Sequence, residues 1–140
     1  MVEVVNRQRR IKVDTGTWVT FAARALDAIG KRGSSATIAF VSDRTIRKLN
    51  QQFRGINKAT DVLSFPEDGP DELNLGDIAV SVETAATQAR ENGLFFDDEI
   101  AQLILHGLLH LCGYDHETDN GEMNRLELEL RRELGIEVDG

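Results

Sequence analysis

Cysteine, cationic charge and long apolar runs are all scarce in this chain of 140 residues, and each shortage excludes something. Cys112 is the one cysteine, so an internal disulfide is impossible and the chain suits a reducing compartment. Apolar runs fall well short of the roughly 20 residues that cross a bilayer, and the opening MVEVVNRQRR carries charges where a secretory signal needs an apolar stretch. The expectation is a cytoplasmic protein without membrane contact. Lys and Arg number 16 against 24 Asp and Glu, a net charge of −8, which argues against indiscriminate binding of a polyanion by the whole surface. With 41% hydrophobic and 29% charged residues the composition is that of a globular chain, and the length is that of one domain, expected over residues 1–140.

The charge is segregated. Arg7, Arg9, Arg10 and Lys12 open the chain, and Arg44, Arg47, Lys48, Arg54 and Lys58 cluster in its middle, while the acidic excess falls between residues 67 and 99 and after 117. Solvated faces of a strand and a helix are the simplest reading of the basic clusters, with a local binding patch as the sharper one.

Hydrophobic spacing predicts the order β-α-β-α-β-β-α-α-α. Val2 to Val13 alternates as an edge strand; Trp18, Phe21, Ala22, Ala25, Leu26 and Ile29 recur at helical intervals; Ser35 to Val41 is a β-branched strand. Ser42 or Asp43 caps a helix carrying Ile46, Leu49 and Phe53, and Val62 to Phe65 and Gly76 to Ser81 read as strands around the turn-rich EDGPDELN. Ser81 caps a helix over 82–92, and Asp97 or Asp98 starts another that ends near Gly113. Asp119 and Glu122 have capping-box spacing ahead of a final helix that buries Met123, Leu126, Leu130 and Leu134 and leaves Glu127, Glu129, Arg131 and Arg132 mostly outside. The predicted fold class is α+β, a mixed sheet of about four strands packed with about five helices.

All three histidines lie in ILHGLLHLCGYDH, residues 104–116. His106 and His110 are four apart and share one helix face, and Gly113 can adopt the left-handed conformation that turns the chain back and returns His116 toward them. Three imidazoles with an open fourth position suit a catalytic zinc, whereas structural sites are closed by four ligands, usually thiolates. Cys112 projects away from His110 around the helix and reads as core. The spacing H-x-x-x-H-x-x-G-x-x-H is that of the metzincin zinc peptidases, except that Gly107 stands where they have glutamate. That glutamate is the peptidase's proton carrier, so peptide hydrolysis becomes less favoured and phosphodiester cleavage, which needs a metal and a cation such as arginine, more so.

Those eleven residues, HGLLHLCGYDH, resemble the signature of the YbeY family, bacterial metal-dependent endoribonucleases of ribosomal RNA maturation. LNQQFRGINKATDVLSFP (49–66) and LGDIAVS (75–81) resemble two further segments of the family in the same order, so the likeness covers about the last two thirds of the chain. The resemblance implies a minimal metzincin-like scaffold, one zinc ion per chain on His106, His110 and His116, and Arg54 as a functional arginine in the cleft, with Arg54 and His110 carrying catalysis. It also implies cleavage of single-stranded RNA, 3′-end processing of small-subunit ribosomal RNA and ribosome quality control, with ribosomal proteins and a ribosome-associated GTPase as partners.

Other residues carry two readings each. Asp61 and Asp77 can orient a ligand histidine through its outer nitrogen, or Asp61 with Thr60 can simply close a turn. Asp115, beside His116, is a proton acceptor or orienting group, or bonds its own backbone in a Gly-Tyr-Asp turn. Arg44, Arg47, Lys48 and Lys58 are candidate RNA contacts. Two other functions stay open: a metzincin-like zinc peptidase with an unconventional base, and a non-enzymatic ribosome-assembly factor with structural zinc.

Overall fold

The computed structural model describes residues 1–67, 73–115 and 117–136. His116 and most of the acidic turn after Pro66 therefore lie outside the described residues. The elements are β1 (Val2–Asn6), α1 (Thr15–Ile29), β2 (Ser35–Val41), α2 (Asp43–Arg54), β3 (Val62–Pro66), β4 (Asn74–Ser81), α3 (Val82–Asn92), α4 (Phe96–Leu111) and α5 (Glu122–Leu134). This is the predicted order, and the class is α+β with four strands and five helices among the described residues.

The sheet order is β1-β2-β4-β3, with β1, β2 and β4 parallel and β3 antiparallel at one edge. Successive side chains of a strand face opposite sides, and the two sides bury different sets. Ile38, Phe40, Ile78 and Val80 join Trp18, Ala22 and the apolar residues of α4 in the main core, whereas Val41, Leu63 and Ala79 pack with Ile46 of α2 in a smaller one. Helix α4 is the hub. Ile104, Leu105, Leu108 and Leu109 are fully buried, each worth about 1.5–3 kcal/mol, and only a stripe of α4 stays open to solvent.

Caps set the helix ends. Asp14 accepts from the backbone of Gly16 at 3.0 Å to start α1, and the Ser81 hydroxyl accepts from Thr84 N at 3.2 Å to start α3. At the end of α4, Tyr114 N donates to Leu109 O at 3.1 Å and Gly113 N to His110 O at 3.0 Å, with Gly113 at φ 96°. The chain thus reverses after the second histidine through the left-handed glycine that the sequence anticipates.

Boundaries differ from expectation at several element ends: α4, expected to start at Asp97 or Asp98, begins at Phe96 behind Phe95, which makes no side-chain cap, and α5 begins at Glu122 behind Gly121, so Asp119 is not its N-cap. The strand expected to reach Val13 stops at Asn6, because the Gln8 side chain accepts from Arg10 N and Ile11 N and donates to Ile11 O at 2.7 Å, closing a turn. Ile11 and Val13 reach the main core from this irregular segment, which is why their alternation imitates a strand. β4 starts at Asn74 rather than Gly76, since Asn74 pairs with Ser35 of β2 across a register shift; Gly76, at φ 128°, lies where any Cβ would stand 2.2 Å from Phe65 O of the neighbouring strand.

Candidate metal centre and cleft

Helix α4 places His106 and His110 one turn apart at the open end of its buried face. Their Nε2 atoms are 3.1 Å apart and their rings stand at 77° to one another. Two nitrogens bound at 2.0–2.1 Å to a tetrahedral zinc are separated by about 3.3–3.4 Å, so a shift of a few tenths of an ångström brings both onto one metal. His106 Nδ1 lies 3.1 Å from Glu127 Oε1 on α5. An ionised carboxylate only accepts, which assigns the proton to Nδ1 and leaves the Nε2 lone pair facing His110. The donor set and its geometry fit a metal held by His106 and His110, and His116 is outside the described residues.

Glu127 is a correction to the sequence reading, which left it mostly outside. It is 7% exposed, and its neighbour Arg131, also expected outside, keeps only 20% of its side-chain surface and pairs with Glu127 at 3.7 Å. The signal was in the spacing: position 127 follows Met123 by four and precedes Leu130 by three, the centre of the buried stripe of α5. A charged residue there is read as surface from its polarity and as core from its period, and the period is right.

Gly107 lies under the histidines against the sheet. A Cβ there would stand 3.0 Å from Cδ1, 3.1 Å from Cγ2 and 3.3 Å from Cγ1 of Ile78 on β4. The absence of a side chain lets α4 approach the sheet closely, and the Ser64 hydroxyl of β3 donates to Gly107 O at 3.3 Å in the same contact. The peptidase glutamate is therefore missing from a position packed on the core.

The histidines open into a cleft of about 710 Å³ bounded by β3, α4 and α5, and Arg54, the last residue of α2, reaches it. His106, His110 and Arg54, singled out separately in the sequence, are brought together here. Asp61 also lines the cleft, but its Oδ1 accepts from Val62 N at 2.8 Å and its Oδ2 lies 3.3 Å from the Gln88 amide nitrogen in the orientation that satisfies both groups. Asp115 lines it too, with a carboxylate accepting from Glu117 N at 3.0 Å, the local turn bond. The outer nitrogen of His106 goes to Glu127 instead of either aspartate. Asp77 is exposed and away from the cleft, because it alternates with Ile78, which faces α4.

Arg44, Arg47, Lys48 and Lys58 are not brought to the histidines. The three residues of α2 share a face turned from the Ile46 and Asn50 side that packs on the sheet, and with Lys58 they line separate surface depressions. Arg47 Nε donates to Asn57 Oδ1 at 2.8 Å there. Cys112 packs on the main core, and burial pushes its thiol pKa up, with Lys31 opposing, so it is a poor thiolate donor. No helix of the described residues is long and apolar enough to cross a membrane.

The chain is similar to known proteins over most of its length. Residues 3–135 match the family model described as Endoribonuclease YbeY. Relatives of that name include one from Nautilia profundicola, 52% identical over 99 residues that make up 71% of each chain. Another, from Koribacter versatilis, is 50% identical over 116 residues, 83% of this chain and 74% of that one. The solution structure of TM1509 from Thermotoga maritima superposes with a TM-score of 0.66 at 29% identity, covering 96% of this chain and 89% of the other. On the extent of the family match and these identities, the chain belongs to the endoribonuclease YbeY family.

Proposed function

We propose that this protein is a zinc-dependent endoribonuclease that cuts single-stranded RNA, acting in the cytoplasm on the 3′ end of small-subunit ribosomal RNA precursors and in ribosome quality control. The observation that carries the reading is the convergence of His106 and His110 Nε2 atoms, 3.1 Å apart, in a cleft that also receives Arg54. The relatives' name, endoribonuclease, supplies the reaction class. One zinc ion per chain is held by His106 and His110, with His116 as third ligand on the resemblance of its motif.

When bound, zinc supplies Lewis acidity toward a phosphodiester and makes water in its coordination sphere more acidic. Arg54 binds the non-bridging phosphoryl oxygens in fork geometry and offsets the charge that grows on them as the phosphorus becomes five-coordinate. The cleft wall of β3 orients the RNA strand.

The electrostatics make a specific demand. Carboxylates of Asp61, Glu99, Asp115, Glu117 and Glu127 line the cleft against the guanidiniums of Arg54 and Arg131. Much of that acidity is committed locally: Asp61 and Asp115 to backbone N–H groups, Glu127 to His106 and Arg131. A polyanion gains little from such a groove by itself, so the metal and Arg54 supply the attraction, and ribosomal proteins and a ribosome-associated GTPase present the substrate.

Arg54→Ala and wild type, compared on single-stranded RNA and on a ribosomal RNA precursor, test this. Cleavage falls on the order of 100-fold in the variant while zinc affinity is kept. Equal cleavage by both removes Arg54 from the reaction; equal cleavage by His110→Ala as well marks a contaminant and leaves the assembly-factor reading.

A peptidase reading has one structural feature in its favour: β3 is an edge strand that lines the cleft, the arrangement that accepts an extended peptide. It lacks a base at position 107, which faces Ile78. Peptide hydrolysis that disappears in His110→Ala would establish it.

A further inference from the structure

Glu127 is a carboxylate near the centre of the buried face of the last helix, 7% exposed between Met123 and Leu130. Removing a carboxylate from water costs several kcal/mol unless well-placed partners compensate, so its partners indicate why the fold tolerates it. Among the described residues these are His106, whose Nδ1 is 3.1 Å from Oε1, and Arg131, whose guanidinium is 3.7 Å from the same oxygen. Nothing in the packing of α5 requires an acid there, since Met123 and Leu130 on either side are apolar and 1% and 2% exposed.

We propose that Glu127, braced by Arg131, is a positioning residue for the metal-binding ring of His106, which makes α5 part of the metal centre. This rests on the reading of His106 and His110 as ligands. The terminal torsion of histidine is a broad well, so the ring of His106 needs a second anchor to hold Nε2 at 3.1 Å from that of His110. An acceptor at Nδ1 supplies it and selects the tautomer with a free Nε2 lone pair. Arg131, one turn further along α5, pairs with the same carboxylate oxygen at 3.7 Å. Aspartate in place of Glu127 would fall short by one methylene, and an aliphatic residue would pack but leave the ring free to turn.

A purely structural ion pair would lower stability without touching zinc affinity, so the test reads both. Zinc affinity is measured by competition with a chromophoric chelator for wild type, Glu127→Gln, Glu127→Ala and His110→Ala, with metal-free unfolding midpoints alongside. Nitrogen-15 NMR of the metal-free forms reads the His106 tautomer, because zinc on Nε2 would itself fix the proton at Nδ1. The expected result is a loss of zinc affinity of about 10-fold in Glu127→Gln and up to about 100-fold in Glu127→Ala, with the Nδ1–H signature of His106 weakened. The glutamine variant matches the native side chain in shape and carries the test if the alanine variant does not fold. Zinc affinities within twofold of wild type in the glutamine variant, with an unchanged tautomer, overturn the proposal. If His110→Ala binds zinc as tightly as wild type, the ligand reading itself falls and takes the proposal with it.

Discussion

Gly107 gives the sharpest physical prediction, because two opposing effects act on one substitution. Alanine in a helix interior is favoured over glycine by about 0.8–1.0 kcal/mol, so an unhindered Gly107→Ala would stabilise α4. The added Cβ, however, meets Ile78 Cδ1 at 3.0 Å and Cγ2 at 3.1 Å, and Ile78, 1% exposed in the main core, must shift to admit it. Overpacking of this kind costs about 1–3 kcal/mol, so the net effect is a destabilisation of up to about 2 kcal/mol. Gly107→Glu adds a carboxylate against the same isoleucine and loses several kcal/mol, a large part of the stability of a domain. Urea unfolding followed by the fluorescence of Trp18, 5% exposed in the same core, measures both. Ile78→Val removes the nearest atom, so Gly107→Ala in that background costs less by about 0.5 kcal/mol or more. A Gly107→Glu protein as stable as wild type, or no coupling between positions 107 and 78, would refute the packing explanation of this glycine.

Other outcomes follow from the same geometry. Zinc at about 100 times its dissociation constant stabilises the folded chain by about 2.7 kcal/mol, a rise in Tm of roughly 8–10 °C that is absent from His110→Ala in differential scanning calorimetry. Asp43→Ala loses about 1–3 kcal/mol in urea unfolding, because Asp43 Oδ1 accepts from Thr84 Oγ1 at 2.6 Å and from the hydroxyl of Ser81, which is fully buried. The Cys112 thiol, its pKa raised by burial from 9.0, reacts with a disulfide reagent at pH 8 more slowly in the folded protein than in urea. The folded form holds that proton more tightly than the unfolded chain, so the contribution to stability is full below pH 9.0 and is lost as the pH rises through the folded value.

Long periodic segments were the most legible part of the fold. The element order and the sheet of four strands follow from spacing and from caps such as Ser81 and Gly113, whose local chemistry overrides little else. Boundaries failed where a side chain replaced the ladder: Gln8 closes a turn that ends β1, and alternation alone could not distinguish Ile11 and Val13 from strand residues. The histidine pair was legible because i, i+4 spacing fixes its geometry within one helix. Glu127 was not, because its role depends on which helix packs beside α4, information that no local pattern carries. For the same reason Arg54 could be placed in the cleft only through resemblance, and the basic face of Arg44, Arg47 and Lys48 looked continuous with it until the helix was set on the sheet.

The central claim, RNA cleavage by a metal held on His106 and His110, is tested most directly by stripping the protein with a chelator and adding zinc back. The substrate is a fluorescent single-stranded RNA, beside its duplex, with His110→Ala purified identically. The account predicts that the stripped protein is inactive, that zinc restores cutting of the single strand but not the duplex, and that His110→Ala stays inactive throughout. Equal cleavage by stripped wild type, loaded wild type and His110→Ala would contradict it.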